Sequence, residues 1–140
     1  MKSIILHDYA GHPFTFDLAC KLADNGMLVY YIYTNSSGGP KANFKIKKDL
    51  LKVMDVKIKK INKTNFLRRF FQEKKYAKKL INEIAGIKSD FLISANTPLT
   101  VQSSLLYWAK KNNIKFIFWL QDIISIAAKS ILKKKFNFIG

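Results

Sequence analysis

Apolar and polar positions follow two rhythms along this chain. Ile4 to Leu6, Leu28 to Tyr33, Phe91 to Ile93 and Phe116 to Leu120 are short apolar runs without alternation, the pattern of strands buried on both faces of a parallel sheet. Between them apolar residues recur at helical spacing. Phe14, Leu18 and Leu22 with Ala19 and Ala23 make one stripe, and Val101, Leu105, Trp108 and Ala109 make another. A long basic helix is expected from about Phe66 to Ala85. The punctuation agrees: Asn25-Gly26 stops the first helix, Asn65 caps the second and Gly86 ends it. Thr97-Pro98 supplies an N-cap and first-turn proline for the third, and Asn112-Asn113 closes it.

Two stretches read less directly. Lys41 to Asp55 is ambiguous, with a short helix expected around Asp49 to Met54. Val56 to Ile61 alternates with lysines and predicts a strand near the sheet edge. Beyond the fifth strand, Lys115 to Leu120, Asp122 or Ser125 can cap a last helix through Ile124, Ala127 and Ile131 to Lys133-Lys134-Lys135.

Strands alternating with helices predict an α/β fold, a Rossmann-like doubly wound parallel sheet of order 3-2-1-4-5. In that order strands 1 and 4 are neighbours and the winding reverses between them. The loop Asp8 to Pro13 then lies beside Ala95 to Pro98, with Gln121 and Asp122 one strand further over. Ligands of such sheets bind outside the carboxyl ends of the strands at this reversal. The 140 residues fit one domain.

Composition narrows the partners. The chain has 25 basic residues against 9 acidic, a formal charge of +16, and only Arg68 and Arg69 are arginines. Such a surface draws polyanions, whether anionic lipid, nucleic acid or phosphorylated substrates, while the richness in lysine, isoleucine and asparagine equally fits a genomic composition bias. Lysine reads bases less well than the bidentate arginine fork. The aromatic residues Phe14, Phe70, Phe91, Phe116, Phe118 and Trp108 fall on expected core positions, so nucleic acid is disfavoured as the partner. Cys20 is the only cysteine, which excludes an intramolecular disulfide and a thiolate metal cluster and is compatible with a reducing cytoplasm. No signal peptide is visible after Met1-Lys2, and the most apolar window, Phe116 to Ala128, contains Gln121 and Asp122 and is too short to span a bilayer.

The crevice chemistry is open on residues alone. No G-x-G-x-x-G fingerprint and no Walker A loop occurs, since Gly11 stands alone in the first loop. His7, Asp8 and His12 cluster there, suited to acid-base work, while His7 could equally close the strand and His12 order the loop. No metal-ligand spacing accompanies them, so no metal is expected. Asp122 can act as a base, orient a hydroxyl or cap a helix. Asn96 and Thr97 offer neutral groups suited to sugar hydroxyls, and Cys20 reads as a packing residue on the first helix.

Gly11-His12-Pro13-Phe14, followed by Leu18-Ala19 and Leu22-Ala23-Asp24-Asn25-Gly26, resembles the opening of family 4 glycosyltransferases of the colanic acid biosynthesis type. Asn96-Thr97-Pro98 and Trp119-Leu120-Gln121-Asp122 resemble two further signatures of that group. The glycine doublet common in the first loop of the wider family is absent here. The resemblance implies one half of a GT-B architecture, residues 1–140 being the N-terminal, acceptor-side domain and the donor-binding domain lying beyond them. It implies sugar transfer with retention from a nucleotide-sugar to a glycan or lipid-linked acceptor, without a metal or other cofactor. Gly11 and His12 would border the transferred sugar or its phosphates, while Asn96, Thr97, Gln121 and Asp122 would contact acceptor or reacting centre, His12 and Asp122 as catalytic candidates. A cytoplasmic protein, peripheral at the inner face of the cell membrane, fits this expectation. Two alternatives stand beside it: a subunit of a split enzyme whose donor domain is a separate chain, and a non-enzymatic basic module. In the latter, helices around Lys74 to Lys79 and Ile124 to Lys135 would adsorb to anionic lipid.

Overall fold

A computed structural model describes residues 1–59, 65–95 and 97–120 of the chain. Its elements run β1 (Ser3–Asp8), α1 (Pro13–Asp24), β2 (Leu28–Tyr33), β3 (Leu51–Asp55), α2 (Phe66–Ile84), β4 (Phe91–Ala95), α3 (Leu99–Lys111) and β5 (Lys115–Trp119). The five strands form one sheet in the order β3-β2-β1-β4-β5, and every pairing is parallel. The fold is the Rossmann-like doubly wound sheet that the alternation of apolar runs and helical stripes predicts.

Central β1 is buried from Ile4 to Asp8 because both faces are covered. On one face α1 packs through Phe16, Ala19 and Ala23 against Leu6, Val29 and Tyr31. On the other, α2 and α3 bring Tyr76, Leu80, Ile84, Val101, Leu105 and Trp108 onto Ile5, Ile32 and Leu92. Burial of these apolar side chains, worth roughly 1.5–3 kcal/mol each, holds the layers together.

Five expectations are corrected. The third strand is Leu51–Asp55, ahead of the expected Val56 to Ile61, of which the described part, Val56 to Lys59, lies outside the strand; no helix covers Asp49 to Met54. The apolar spacing of Leu50, Leu51, Val53, Met54 and Val56 fits both periods. Pairing with β2 decides between them: Val29 N–H donates to Leu50 O at 2.7 Å, and Val56 N–H to Tyr33 O at 2.8 Å. The edge position itself is as expected, since β3 ends the sheet.

The core stripe of α1 is Thr15, Phe16, Ala19 and Ala23, while Phe14 is 46% exposed. Thr15 is drawn inward by a buried carboxylate, which rotates Phe14 out. Phe118, expected in the core, is likewise exposed. Thr97 does not cap α3: Pro98 occupies the N-cap without a side-chain bond, and the Thr97 hydroxyl is used elsewhere. Asn65 does cap α2, accepting from Arg68 N–H at 3.0 Å. Among the described residues no helix is long and apolar enough to cross a membrane. The expected last helix, with Gln121 and Asp122, lies outside the described residues, as does Asn96.

Candidate functional site

At the reversal point the C-terminal ends of β1 and β4 pair directly, Asp8 opposite Ala95. The loop leaving β1 is built around the buried carboxylate of Asp8. It accepts from Ala10 N–H at 3.0 Å and His12 N–H at 2.7 Å. The Thr15 hydroxyl also donates to it, and Tyr31 donates in turn to Thr15 Oγ1 at 2.9 Å. Burial pushes the Tyr31 hydroxyl well up, so it remains a neutral donor.

His12 Nδ1 lies 3.2 Å from both Asp8 oxygens. Because the carboxylate is an acceptor, His12 Nδ1–H donates to it, and Nε2 is the other ring nitrogen. A Cβ on Gly39 would stand 3.7 Å from that Nε2. The loop bearing Gly39 is tied down over β1 by Lys41, whose ammonium donates to Ala10 O, to Thr34 O at 2.9 Å and to Ser37 Oγ at 3.1 Å. Gly11 is held in the same place, its carbonyl accepting from Ala42 N–H at 2.9 Å. It has φ +74°, and an added Cβ would meet Tyr33 Cδ2 at 2.8 Å and Phe44 Cζ at 3.0 Å. Close packing under two stacked rings therefore accounts for a glycine here.

The next residue back, His7, points to the opposite face of the sheet. Its Nδ1 is 3.0 Å from Thr97 Oγ1 and its Nε2 2.9 Å from the Tyr76 hydroxyl. The Thr97 hydroxyl donates to Ala95 O at 2.8 Å. His7 Nδ1–H then donates to Thr97, and Tyr76 donates to Nε2. Burial holds the His7 pKa down at about 4 against the opposing pull of Asp8, so the ring is neutral in this network. Nearby, Ser94 donates to Gln102 Oε1 at 2.5 Å. The Gln102 amide nitrogen and the Tyr9 hydroxyl are buried without a hydrogen-bond partner. Burial, with Glu73 beside it, pushes the Tyr9 hydroxyl up to about 12.

An aromatic rim closes the crevice side. His12 stacks on Phe14 with centroids 5.4 Å apart, and Phe14 meets Trp119 edge-on at 5.8 Å. The rim spans from the β1 loop to the end of β5.

Of the residues expected at the site, Gly11, His12 and Thr97 do come together at this end of the sheet, with Thr97 turned inward onto His7. Asn96, Gln121 and Asp122 lie outside the described residues. Three participants were not singled out by sequence reasoning. Asp8 counted there only as one of a titratable cluster, whereas it is the anchor of the loop. Phe14 was assigned to the core, and Trp119 was a motif letter without a role. The readable signal was an aspartate at a strand end followed within four residues by a glycine-containing turn, the setting in which a carboxylate collects successive backbone N–H groups. Among the described residues no group of three or more His, Cys, Asp or Glu side chains is placed to hold a metal ion.

No protein-family model and no curated protein matches the sequence. Among solved structures the chain is similar to the C-terminal domain of a hydrogenase from Pyrococcus furiosus, seen in two crystal structures. In one the identity is 15% and the TM-score 0.62, over 85% of this chain and 91% of that one. In the other they are 14% and 0.58, over 84% and 90%. MurG from Acinetobacter baumannii also matches, at 13% identity and TM-score 0.48, with 84% of this chain but 34% of that one covered. At these identities the likeness to the hydrogenase domain shows the fold alone: a parallel, Rossmann-like α/β layer.

Proposed function

We propose that this chain is the acceptor-side half of a glycosyltransferase, acting on a nucleotide-sugar whose donor site is supplied by a second domain or chain. The observation that carries the reading is the Asp8-anchored loop at the topological switch point, where the buried carboxylate holds His12 by both its backbone N–H and its ring. An imidazole at the switch point is a side chain suited to hydrogen-bonding and acid-base work at a sugar hydroxyl. Phe14 and Trp119 add apolar ring surface beside polar groups, the mixture typical of small-molecule sites. The motif resemblance supports the same assignment. It also keeps Asn96, Gln121 and Asp122 as contacts to acceptor or reacting centre, Asp122 as a catalytic candidate, with retention of configuration and no cofactor. Lipid-linked or polysaccharide acceptors and a position at the inner face of the cell membrane belong to this proposal as well.

The test is amide-resolved NMR of the chain titrated with uridine diphosphate hexoses and, separately, with a panel of methyl hexosides. Shifts confined to Ala10–Phe14 and the start of α3, and their loss in His12→Ala, are the expected outcome. Shifts elsewhere, or none with any probe, would reject an acceptor site at this loop.

A further inference from the structure

The two helices on the same side of the sheet, α2 and α3, have outward faces unlike that of α1. On α2, Glu73 faces in, 6% exposed and bonded to Arg69 Nε at 2.7 Å and Thr100 Oγ1 at 2.5 Å. That network locks α2 to α3. The opposite face of α2 begins with Leu67 and Phe71, each 67% exposed, and continues with exposed Lys74, Lys75 and Lys78. These residues lie on one side of the helix by their spacing, and no acidic residue interrupts them. The exposed face of α3 repeats the composition: Leu99 is 72% and Tyr107 73% exposed, followed by Lys110 and Lys111, and α3 contains no acidic residue. The exposed positions of α1, by contrast, include Asp17, Lys21 and Asp24, a mixed set with no cationic excess.

We infer that the α2–α3 layer is a docking surface for an anionic lipid bilayer. Large apolar side chains at 67–73% exposure share these two helix faces with the exposed lysines that follow them. A headgroup region rich in acidic lipid satisfies both: it takes the lysines at the phosphate level while the rings and leucines reach the acyl boundary. A soluble polyanion would satisfy only the lysines, and an apolar protein groove only the rest. Because strands of a parallel sheet feed helices from their C-terminal ends, Leu67, Phe71 and Leu99 sit at the crevice end of the layer. The proposal stands without any reading of the crevice.

The experiment is cosedimentation of the 140-residue chain with vesicles of phosphatidylcholine alone or mixed with phosphatidylglycerol, beside binding to a single-stranded RNA oligonucleotide. Binding to the mixed vesicles and not to neutral ones is expected. Lys74→Ala and Lys78→Ala should each weaken it about fivefold. Leu67→Ser with Phe71→Ser should weaken it at least about tenfold while leaving RNA binding unchanged. All four positions are exposed, so the variants should fold, which circular dichroism verifies. Vesicle binding indifferent to Leu67 and Phe71, or RNA binding tighter than vesicle binding, would overturn the inference.

Discussion

His7 and Asp8 are adjacent, and the pleat sends them to opposite faces of the sheet, where each organises a separate polar network. His7 makes stability depend on pH. Its folded pKa, about 4, lies below the ordinary 6.5, so between these values the unfolded chain binds a proton that the folded chain refuses. The stabilisation is complete above pH 6.5 and is lost as pH falls toward 4, by about 3 kcal/mol in all. Urea unfolding at pH 7 and pH 4.5 should show the loss, and His7→Gln should be flatter between them. An equal slope in the variant would place the effect in other groups. Gly11 and Gly26 provide a second test at this scale. Both have positive φ, but an added Cβ meets nothing within 4 Å at Gly26 and two rings at Gly11. Alanine at Gly26 should cost about 1–2 kcal/mol from backbone strain alone. At Gly11 it should cost about 1–3 kcal/mol more, from overpacking against Tyr33 and Phe44. Equal midpoints in denaturant would remove packing as the reason for that glycine.

At the scale of elements, the sequence disclosed what local physics decides and missed what partners decide. The runs Ile4 to Leu6 and Leu28 to Tyr33 were legible as doubly covered strands because nothing in them is polar enough to face water. From four such runs, with an alternating edge strand expected at Val56 to Ile61, the order of the sheet followed. The strand at Leu51–Asp55 was not legible, because an edge strand has one neighbour and half a burial pattern, which a short helix imitates. The face of α1 was misread by one position for a different reason. Phe14 is apolar and Thr15 is not, so hydropathy puts Phe14 inside, while a hydrogen bond to Asp8 across seven residues puts Thr15 there. The candidate site was legible to the same degree. Its location followed from topology, but the direction of Thr97, inward onto His7 across ninety residues of chain, could only come from the folded arrangement.

The whole molecule carries 25 basic and 9 acidic residues, and this imbalance sets how its stability responds to salt. Self-repulsion of the excess charge opposes the compact state. Among the described residues the ion pairs that oppose it are few and mostly wet: Lys48 with Asp24 at 2.6 Å is partly exposed on both sides, and Lys79 with Glu83 is stretched to 3.8 Å. Exposed pairs of this kind contribute about 0–1 kcal/mol each. Added salt therefore screens more repulsion than attraction, the Debye length falling from roughly 30 Å at 0.01 M to 10 Å at 0.1 M. The thermal midpoint followed by circular dichroism should rise with sodium chloride over that range, where a neutral-surface protein would change little. It should rise further with phosphate or sulfate, which also strengthen apolar burial. A midpoint that falls with salt would mean that paired charges outweigh the unpaired excess in this fold. It would also weaken the case that the lysines of α2 and α3 are held at a cost to stability that an anionic surface relieves.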